Sequence, residues 1–349
     1  MIVHLRRLFL LSALAMLAGC GGQGGDGPNG RLNVYIWSSY LPDEVVQEFE
    51  TAAGVKVNIE TYDDNETLER KLQSGVSGFD LVVPSDYMVA RLAAQKLIQP
   101  LDKAKLPGFA NLDPAFLDQA FDPGNQYSLP WVWGTTGIGY NKEKAGGEID
   151  SWSVLFDEKH QGRILMLEDT REVIAAALKS LGRSVNDTSD EAIAAGAEKL
   201  KRQKPLVKTY NSGDFANILA SGDVDYAHAY NGELAKVVAE SAGKLAYVVP
   251  KEGGVIWMDN ICLVAGAKNA GNAYKFLDFI LKPEVSAKIV NDISYAGANR
   301  AAKPFIKPEL LNDPVIYPPA EVVARCEYMK DLGAAAEKLD AIWTEIKAQ

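Results

Sequence analysis

The sequence predicts a doubly wound α/β protein of two lobes. Three observations predict it. Strand and helix patterns alternate from residue 32 onward, FDLVVPS (79–85) is the continuous apolar run that a parallel sheet buries on both faces, and a second alternating region follows without a long low-complexity linker. The bulk agrees: about 320 residues beyond the N-terminal leader pattern, in a chain of 47% hydrophobic composition, can fill two cores.

Taken in order, LNVYIW (32–37) is a short apolar strand. DEVVQEFETAAG (43–54) is an amphipathic helix with Asp43 at its start, Val45, Val46 and Phe49 on one face, and Gly54 as its stop. VKVNIETY (55–62) alternates with period two, NETLERKLQSG (65–75) is a second helix with Asn65 as its cap, and FDLVVPS is a strand ended by Pro84. In the second region REVIAAALKSLG (171–182) and TSDEAIAAGAEKLKRQ (188–203) are helices. VDYAHAYNGELAKVVAE (224–240) passes from strand to helix, and KLAYVVPKEG (244–253) leads to VIWMDNICLVAG (255–266). GTTGIG (134–139) has its glycines in the wrong order for a dinucleotide loop and reads as a hinge or strand crossing.

The N-terminus reads as an export signal over residues 1–19: a basic front at His4, Arg6 and Arg7, then LFLLSALAMLA, an apolar run too short to be a comfortable membrane span. It closes on LAGC (17–20), which resembles the bacterial lipobox and implies lipidation of Cys20 after cleavage before it. GGQGGDGPNG (21–30) then follows as a flexible tether. The expected location is periplasmic, lipid-anchored to a membrane. Cys262 and Cys326 carry no spacing signal and read as small buried apolar residues, with a disulfide as the minor alternative. The chain has 36 Lys+Arg against 46 Asp+Glu, and losing Arg6 and Arg7 leaves 34 against 46, a net of −12. That excludes a nucleic-acid binder, which needs a basic face, and is compatible with attracting a cation.

Catalysis is poorly provided for. The histidines are His4, His160 and His228, and H-E-x-x-H, C-x-x-C and G-x-S-x-G motifs are absent. LEDTREV offers Glu168, Asp169 and Glu172 as paired carboxylates for glycoside chemistry. The same residues equally serve a helix start, with Asp169 or Thr170 as cap and Glu172 in the first turn. No cofactor or metal motif is present, so the expectation is a protein that is not an enzyme. What recurs after strand ends is aromatic rings beside carboxylates: Trp37 and Tyr40, Asp86 and Tyr87, Asp169 and Glu172, Tyr230, Trp257 and Asp259, and Tyr295. Ring faces attract ammonium groups by about 0.5–2 kcal/mol each, and carboxylates pair with them directly. A slender, multiply charged cation with a methylene spine suits that combination.

The stretches YIWSSYLP, FDLVVPSDY, NLDPAFLDQAFDP, YSLPWVWGTTGIGYN, REV, PKEGGVIWMDN and NDPVIYPPA resemble, in order, the spermidine/putrescine-binding proteins of bacterial polyamine ABC transporters. The resemblance implies a type II periplasmic-binding-protein fold, two α/β lobes joined by hinge crossings with the ligand cleft between them. It divides the chain into 31–134 plus 258–303 as the N-terminal lobe and 135–257 plus 304–349 as the C-terminal lobe. It also implies an inner-membrane ABC permease as partner and a protein that works as a monomer. Carried over by position, it makes Trp37 and Tyr87 walls of the channel and Ser38, Tyr40 and Ser85 contacts at one end. Trp257 would stack on the spine and Asp259 would meet an inner amine. Asp169 and Glu172 would hold the far amine, and Ser212 and Tyr295 would complete the enclosure. Tyr87, Asp169 and Trp257 form the set that goes with spermidine over putrescine.

Three departures accompany the likeness. Ser39 stands where the family has Asp or Glu for a terminal amine, Tyr230 where Trp is usual, and Met329 where spermidine binders often have a polar residue. Asp86 or a water is the expected substitute for the missing acid; otherwise the ligand carries one uncharged end, as an acylated amine would. A polyamine sensor for a membrane signalling protein would present the same residues.

Overall fold

The computed structural model describes residues 30–348 apart from Ser39, Val76 and Ser77. The leader, Cys20, the tether up to residue 29 and Ser39 therefore lie outside the described residues. Eleven strands among the described residues join in one sheet. They are β1 (Arg31–Trp37), β2 (Lys56–Tyr62), β3 (Leu81–Val82), β4 (Ile98–Gln99), β5 (Ser128–Asn141), β6 (Ile164–Met166), β7 (Val207–Tyr210), β8 (Tyr226–Tyr230), β9 (Leu245–Val248), β10 (Val255–Val264) and β11 (Ala296–Gly297). The order is β2-β1-β3-β10-β5-β8-β6-β7, with β4 beside β10 and with β9 and β11 beside β5. The β2-β1-β3 and β7-β6-β8 groups are parallel, as strand–helix alternation requires. Both groups hang on β5 and β10, which run antiparallel to each other and to their outer neighbours β8 and β3.

One core packs β1, β3 and β10 against helix Asp43–Ala53 through Val45 and Phe49, and against helix Ala270–Ile280 through Phe276 and Leu277. A second gathers Ile138, Trp152, Ile164, Val173, Leu200 and Trp343. Strand β5 runs between them, buried along its first thirteen residues, so GTTGIG is a strand crossing. Its glycines answer close approaches: a Cβ on Gly134 would sit 2.4 Å from the Trp257 ring, and one on Gly137 would sit 2.4 Å from the Val248 carbonyl.

Two local readings change. Helix Asn65–Gln73 is capped by Asp64, whose side chain accepts from the Thr67 N–H at 2.6 Å, and Asn65 is its first helical residue. The Asn65 amide instead binds Ser85, accepting from its N–H and donating to its Oγ, both at 3.1 Å. FDLVVPS contributes only a two-residue ladder. Its buried Asp80 accepts from the Asn33 N–H at 2.9 Å and the Asn269 N–H at 2.8 Å, tying β1 to the chain just beyond β10. Cys262, inside β10, and Cys326 are both free; the Cys326 thiol lies 3.3 Å from the Val322 carbonyl.

The start of β10 is clamped by the chain near residue 327. Glu327 donates to Gly254 O at 3.0 Å and accepts from the Ile256 N–H at 3.1 Å, and its carboxylate pairs with Lys179. Gly253 makes this possible, with φ +82° and the Arg325 carbonyl 1.8 Å from where a Cβ would stand. Gly253→Ala combines a left-handed strain of about 1–2 kcal/mol with a backbone clash. The expected result is an unfolding midpoint lowered by about 4 °C or more in a thermal melt; an unchanged midpoint would refute the clamp.

Candidate ligand-binding site

Asp259 anchors the site from the bulge of β10, where the register with β5 shifts between Asp259 and Asn260. Its carboxylate accepts from Tyr40 at 2.9 Å and from the Ser85 hydroxyl at 2.7 Å. Burial pushes its pKa up to about 7, with those two hydroxyls pulling it down. Rings enclose it: Tyr40 and Tyr295 meet at 5.6 Å, Trp257 and Tyr295 at 5.1 Å, and Trp257 and Tyr230 at 6.1 Å. Trp37, at the end of β1, packs on Tyr62 at 4.6 Å. The indole N–H groups of Trp37 and Trp257 are buried and lack a hydrogen-bond partner.

The second acidic station is the start of helix Thr170–Ser180. Asp169 is its cap, accepting from the Glu172 N–H at 3.0 Å. Glu172 accepts from Thr136 at 2.9 Å through one oxygen, while the other is unpartnered, 3.9 Å from His228. Burial holds Glu172 well above the usual carboxylate range, and Asp169 raises it further. Asp169 itself is raised, again chiefly by burial. Tyr87 faces this station: its hydroxyl donates to Glu66 at 3.2 Å and its ring carries the Arg171 guanidinium at 5.1 Å. Asp169 opens onto a cleft of about 720 Å³ that Ser212, Asp63, Asp64, Glu66, Asp214 and Asp340 also line. Ser212 accepts from the Glu168 N–H at 2.9 Å.

One expected position plays another part. Asp86 is fully buried, and its oxygens accept main-chain N–H groups, Tyr87 at 2.6 Å and Met258 at 3.3 Å. Burial lifts it to about 8, with Asp259 adding and those N–H groups subtracting. It thus braces the main chain behind Asp259. Met329 is buried in the first core, and Ser38 is exposed in the turn after β1. Sequence reasoning missed Glu66 and Glu233, both lifted to about 7 mainly by burial, and Arg171 as a cation over the Tyr87 ring. Glu233 stands one turn into the helix that follows β8, a position with the same strand-end signal as the residues that were found.

The site therefore offers buried carboxylates spaced by ring faces. Among the described residues no group of three His, Cys, Asp or Glu is placed to hold a metal ion. Acids set apart in this way suit an organic cation with several charges.

Residues 44–317 match the family model described as bacterial extracellular solute-binding protein. The chain belongs to that family. Binding of a solute, not turnover, is what this family of transporter components does, so the glycosidase reading of LEDTREV falls and Asp169 keeps its place as a helix cap. The solute-binding chain is 39% identical over 323 residues to the spermidine/putrescine-binding periplasmic protein of Escherichia coli (strain K12), covering 92% of each. It is 35% identical to the putrescine-binding periplasmic protein PotF of the same strain, covering 91% of each. Among solved structures, the Tp0655 (TpPotD) lipoprotein of Treponema pallidum superposes with a TM-score of 0.83 at 28% identity, covering 91% of this chain and all of that one. The fold is the bilobal type II periplasmic-binding-protein fold, and β5 and β10 are strands shared by its two halves.

Proposed function

We propose that this solute-binding protein captures a polyamine, spermidine ahead of putrescine, and delivers it to an ABC importer from a periplasmic, lipid-anchored position. The observation that carries the reading is the separation of its buried acids. Tyr230 connects them: on β8 it pairs with Thr136, whose hydroxyl donates to Glu172, and its ring meets that of Trp257, two residues before Asp259, at 6.1 Å. One ammonium would pair with Asp169 and Glu172 and another with Asp259, the methylenes lying along Trp257 and Tyr230 with Trp37 and Tyr87 as outer walls. Its relatives in Escherichia coli, a spermidine/putrescine-binding and a putrescine-binding periplasmic protein, support the ligand class. Spermidine is favoured because Tyr87, Asp169 and Trp257 are the set that the resemblance associates with it. Ser38, Ser85 and Ser212 would supply neutral acceptors at the ends. LAGC at 17–20 and the lipoprotein neighbour of Treponema pallidum support the anchor at Cys20.

In this reading 31–134 plus 258–303 form one lobe and 135–257 plus 304–349 the other, closing around the cation as a monomer and presenting both lobes to the permease. The acids around the cleft by Asp169 would raise the local concentration of a cation at its mouth. The test is calorimetric titration of the refolded, ligand-stripped protein. One-to-one binding of spermidine below about 1 μM, with putrescine at least about tenfold weaker, is expected. Absence of binding by both would refute the polyamine reading.

A further inference from the structure

We infer that His228 is a positioning residue for Glu172: its neutral imidazole donates from Nε2 to the second Glu172 oxygen once a bound amine has ionised that carboxyl. The inference rests on the polyamine reading above. His228 lies inside β8, paired with Ile138 of β5, and Glu172 stands in the first turn of helix Thr170–Ser180. The His228 Nε2 is 3.9 Å from the Glu172 Oε2, and the two side chains are only 1% and 6% exposed. That gap is too narrow for a bridging water and about 1 Å wider than a hydrogen bond. Among the described residues both atoms, and His228 Nδ1 as well, are buried without a hydrogen-bond partner. The other Glu172 oxygen already accepts from the Thr136 hydroxyl at 2.9 Å. A small turn of either side chain would close the pair.

The tautomer follows from what surrounds the ring. A neutral imidazole carries one N–H. On Nε2 it faces the carboxylate; on Nδ1 it would be a buried donor without an acceptor, the costlier arrangement. Trp152 meets the imidazole edge to face at 5.5 Å, and its own N–H goes to Gly253 O, so it offers no acceptor. Burial keeps the ring neutral, with its pKa lowered to about 3. The charged and titratable groups around Glu172 are Asp169 and Arg171 beside it in the chain, Asp86 at the start of helix Asp86–Ala94, and the phenols of Tyr230 on β8 and Tyr247 on β9. Asp169 and Asp86 oppose its ionisation; Arg171 favours it, but that guanidinium is drawn onto the Tyr87 ring and the Lys330 carbonyl. A neutral N–H stabilises the ionised carboxylate without placing a second cation where the amine must sit. The carboxylate keeps lone pairs for the ammonium, having more acceptor sites than Thr136 and His228 can fill.

The experiment is calorimetric titration of the ligand-stripped wild type, His228→Leu and His228→Gln with spermidine at pH 6 and pH 9, with thermal melts to establish folding. His228→Leu removes the donor and leaves Glu172 harder to ionise, so spermidine is expected to bind about 10- to 100-fold more weakly at pH 6. At pH 9 less of that ionisation falls to the ligand, and the deficit is expected to shrink by at least about threefold. His228→Gln keeps an N–H at similar reach and is expected to stay within about threefold of wild type at both pH values. No deficit in His228→Leu at pH 6, a deficit equal at both pH values, or one that His228→Gln shares would each overturn the inference, since a ring that merely fills space acts without regard to pH or to the donor. In the spermidine-bound wild type a long-range proton–nitrogen NMR spectrum is expected to show His228 protonated on Nε2; protonation on Nδ1 alone would overturn the inference even if neither variant folds. A wild type that binds no spermidine refutes the polyamine reading instead.

Discussion

Asp259→Asn is expected to weaken spermidine binding by about 30-fold or more and, at pH 8, to raise the unfolding midpoint of the ligand-free protein. Both effects come from one buried charge. Removing an acid that pairs with a desolvated ammonium costs about 2–5 kcal/mol, because the cation is left buried beside a neutral group. The shape is kept: Asn retains an oxygen for the Ser85 or Tyr40 hydroxyl, and the second hydroxyl can turn to accept from the new amide. Without ligand the balance reverses. Asp259 is 3% exposed, and burial pushes its pKa up to about 7, so at pH 8 its ionised form is a desolvation cost that Asn does not carry. This is the trade of stability for function expected where a site is built to meet a cation. Calorimetry on wild type and variant reads the affinity and paired melts read the stability. Affinity within about threefold of wild type would remove Asp259 from the site. A lower ligand-free midpoint would mean that the charge is compensated by the protein.

Much of the fold was legible because its signals are local. Val45 and Phe49 fall on one face of a helix that Gly54 stops in the left-handed conformation, and VKVNIETY forms β2, although only Val57 and Tyr62 of that strand are buried. Tyr40 does follow a strand end, but Trp257 and Asp259 lie inside β10, at and before its bulge, and not after a strand end as the sequence suggested. The failures are tertiary. Asp64 and Asn65 are both competent caps, and the choice depends on Ser85, twenty residues on, claiming the Asn65 amide. Asp86 reads as a cleft residue until Met258, from a strand far along the chain, donates its N–H to it. Glu233 in NGELAKVVAE looks like an ordinary first-turn acid, and only the Tyr295 hydroxyl, from another part of the chain, gives it a partner inside the fold. Arg171 reads as a helix-start residue until Tyr87 and the Lys330 carbonyl, at 3.2 Å, hold its guanidinium inside.

Between pH 6.5 and 8 the ligand-free protein is expected to lose stability as pH rises. Asp86 at about 8, and Asp259, Glu66 and Glu233 at about 7, are all raised above their unfolded values, mainly by burial. The folded state therefore holds protons that the unfolded state has released, and stability falls as each carboxyl ionises in place. Each unit of difference is worth about 1.4 kcal/mol, so the fully buried Asp86 and Asp259 dominate. Histidine acts the other way. His228 is buried neutral with its pKa lowered to about 3 by burial, and His160 is also lowered, so both subtract stability below about 6.5, where the unfolded chain would protonate them. Above that pH they contribute nothing, which is why the window starts there. Bound ammonium groups should pull the carboxyl pKa values down, so association near pH 7 should release protons. Titrations in buffers of different ionisation enthalpy measure that release directly, and melts at pH 6.5 and 8 with and without spermidine measure the linkage. A ligand-free midpoint that stays level or rises across this window would show that the buried acids are already neutralised within the protein, and the cleft would then have no unmet charge with which to draw in a polycation.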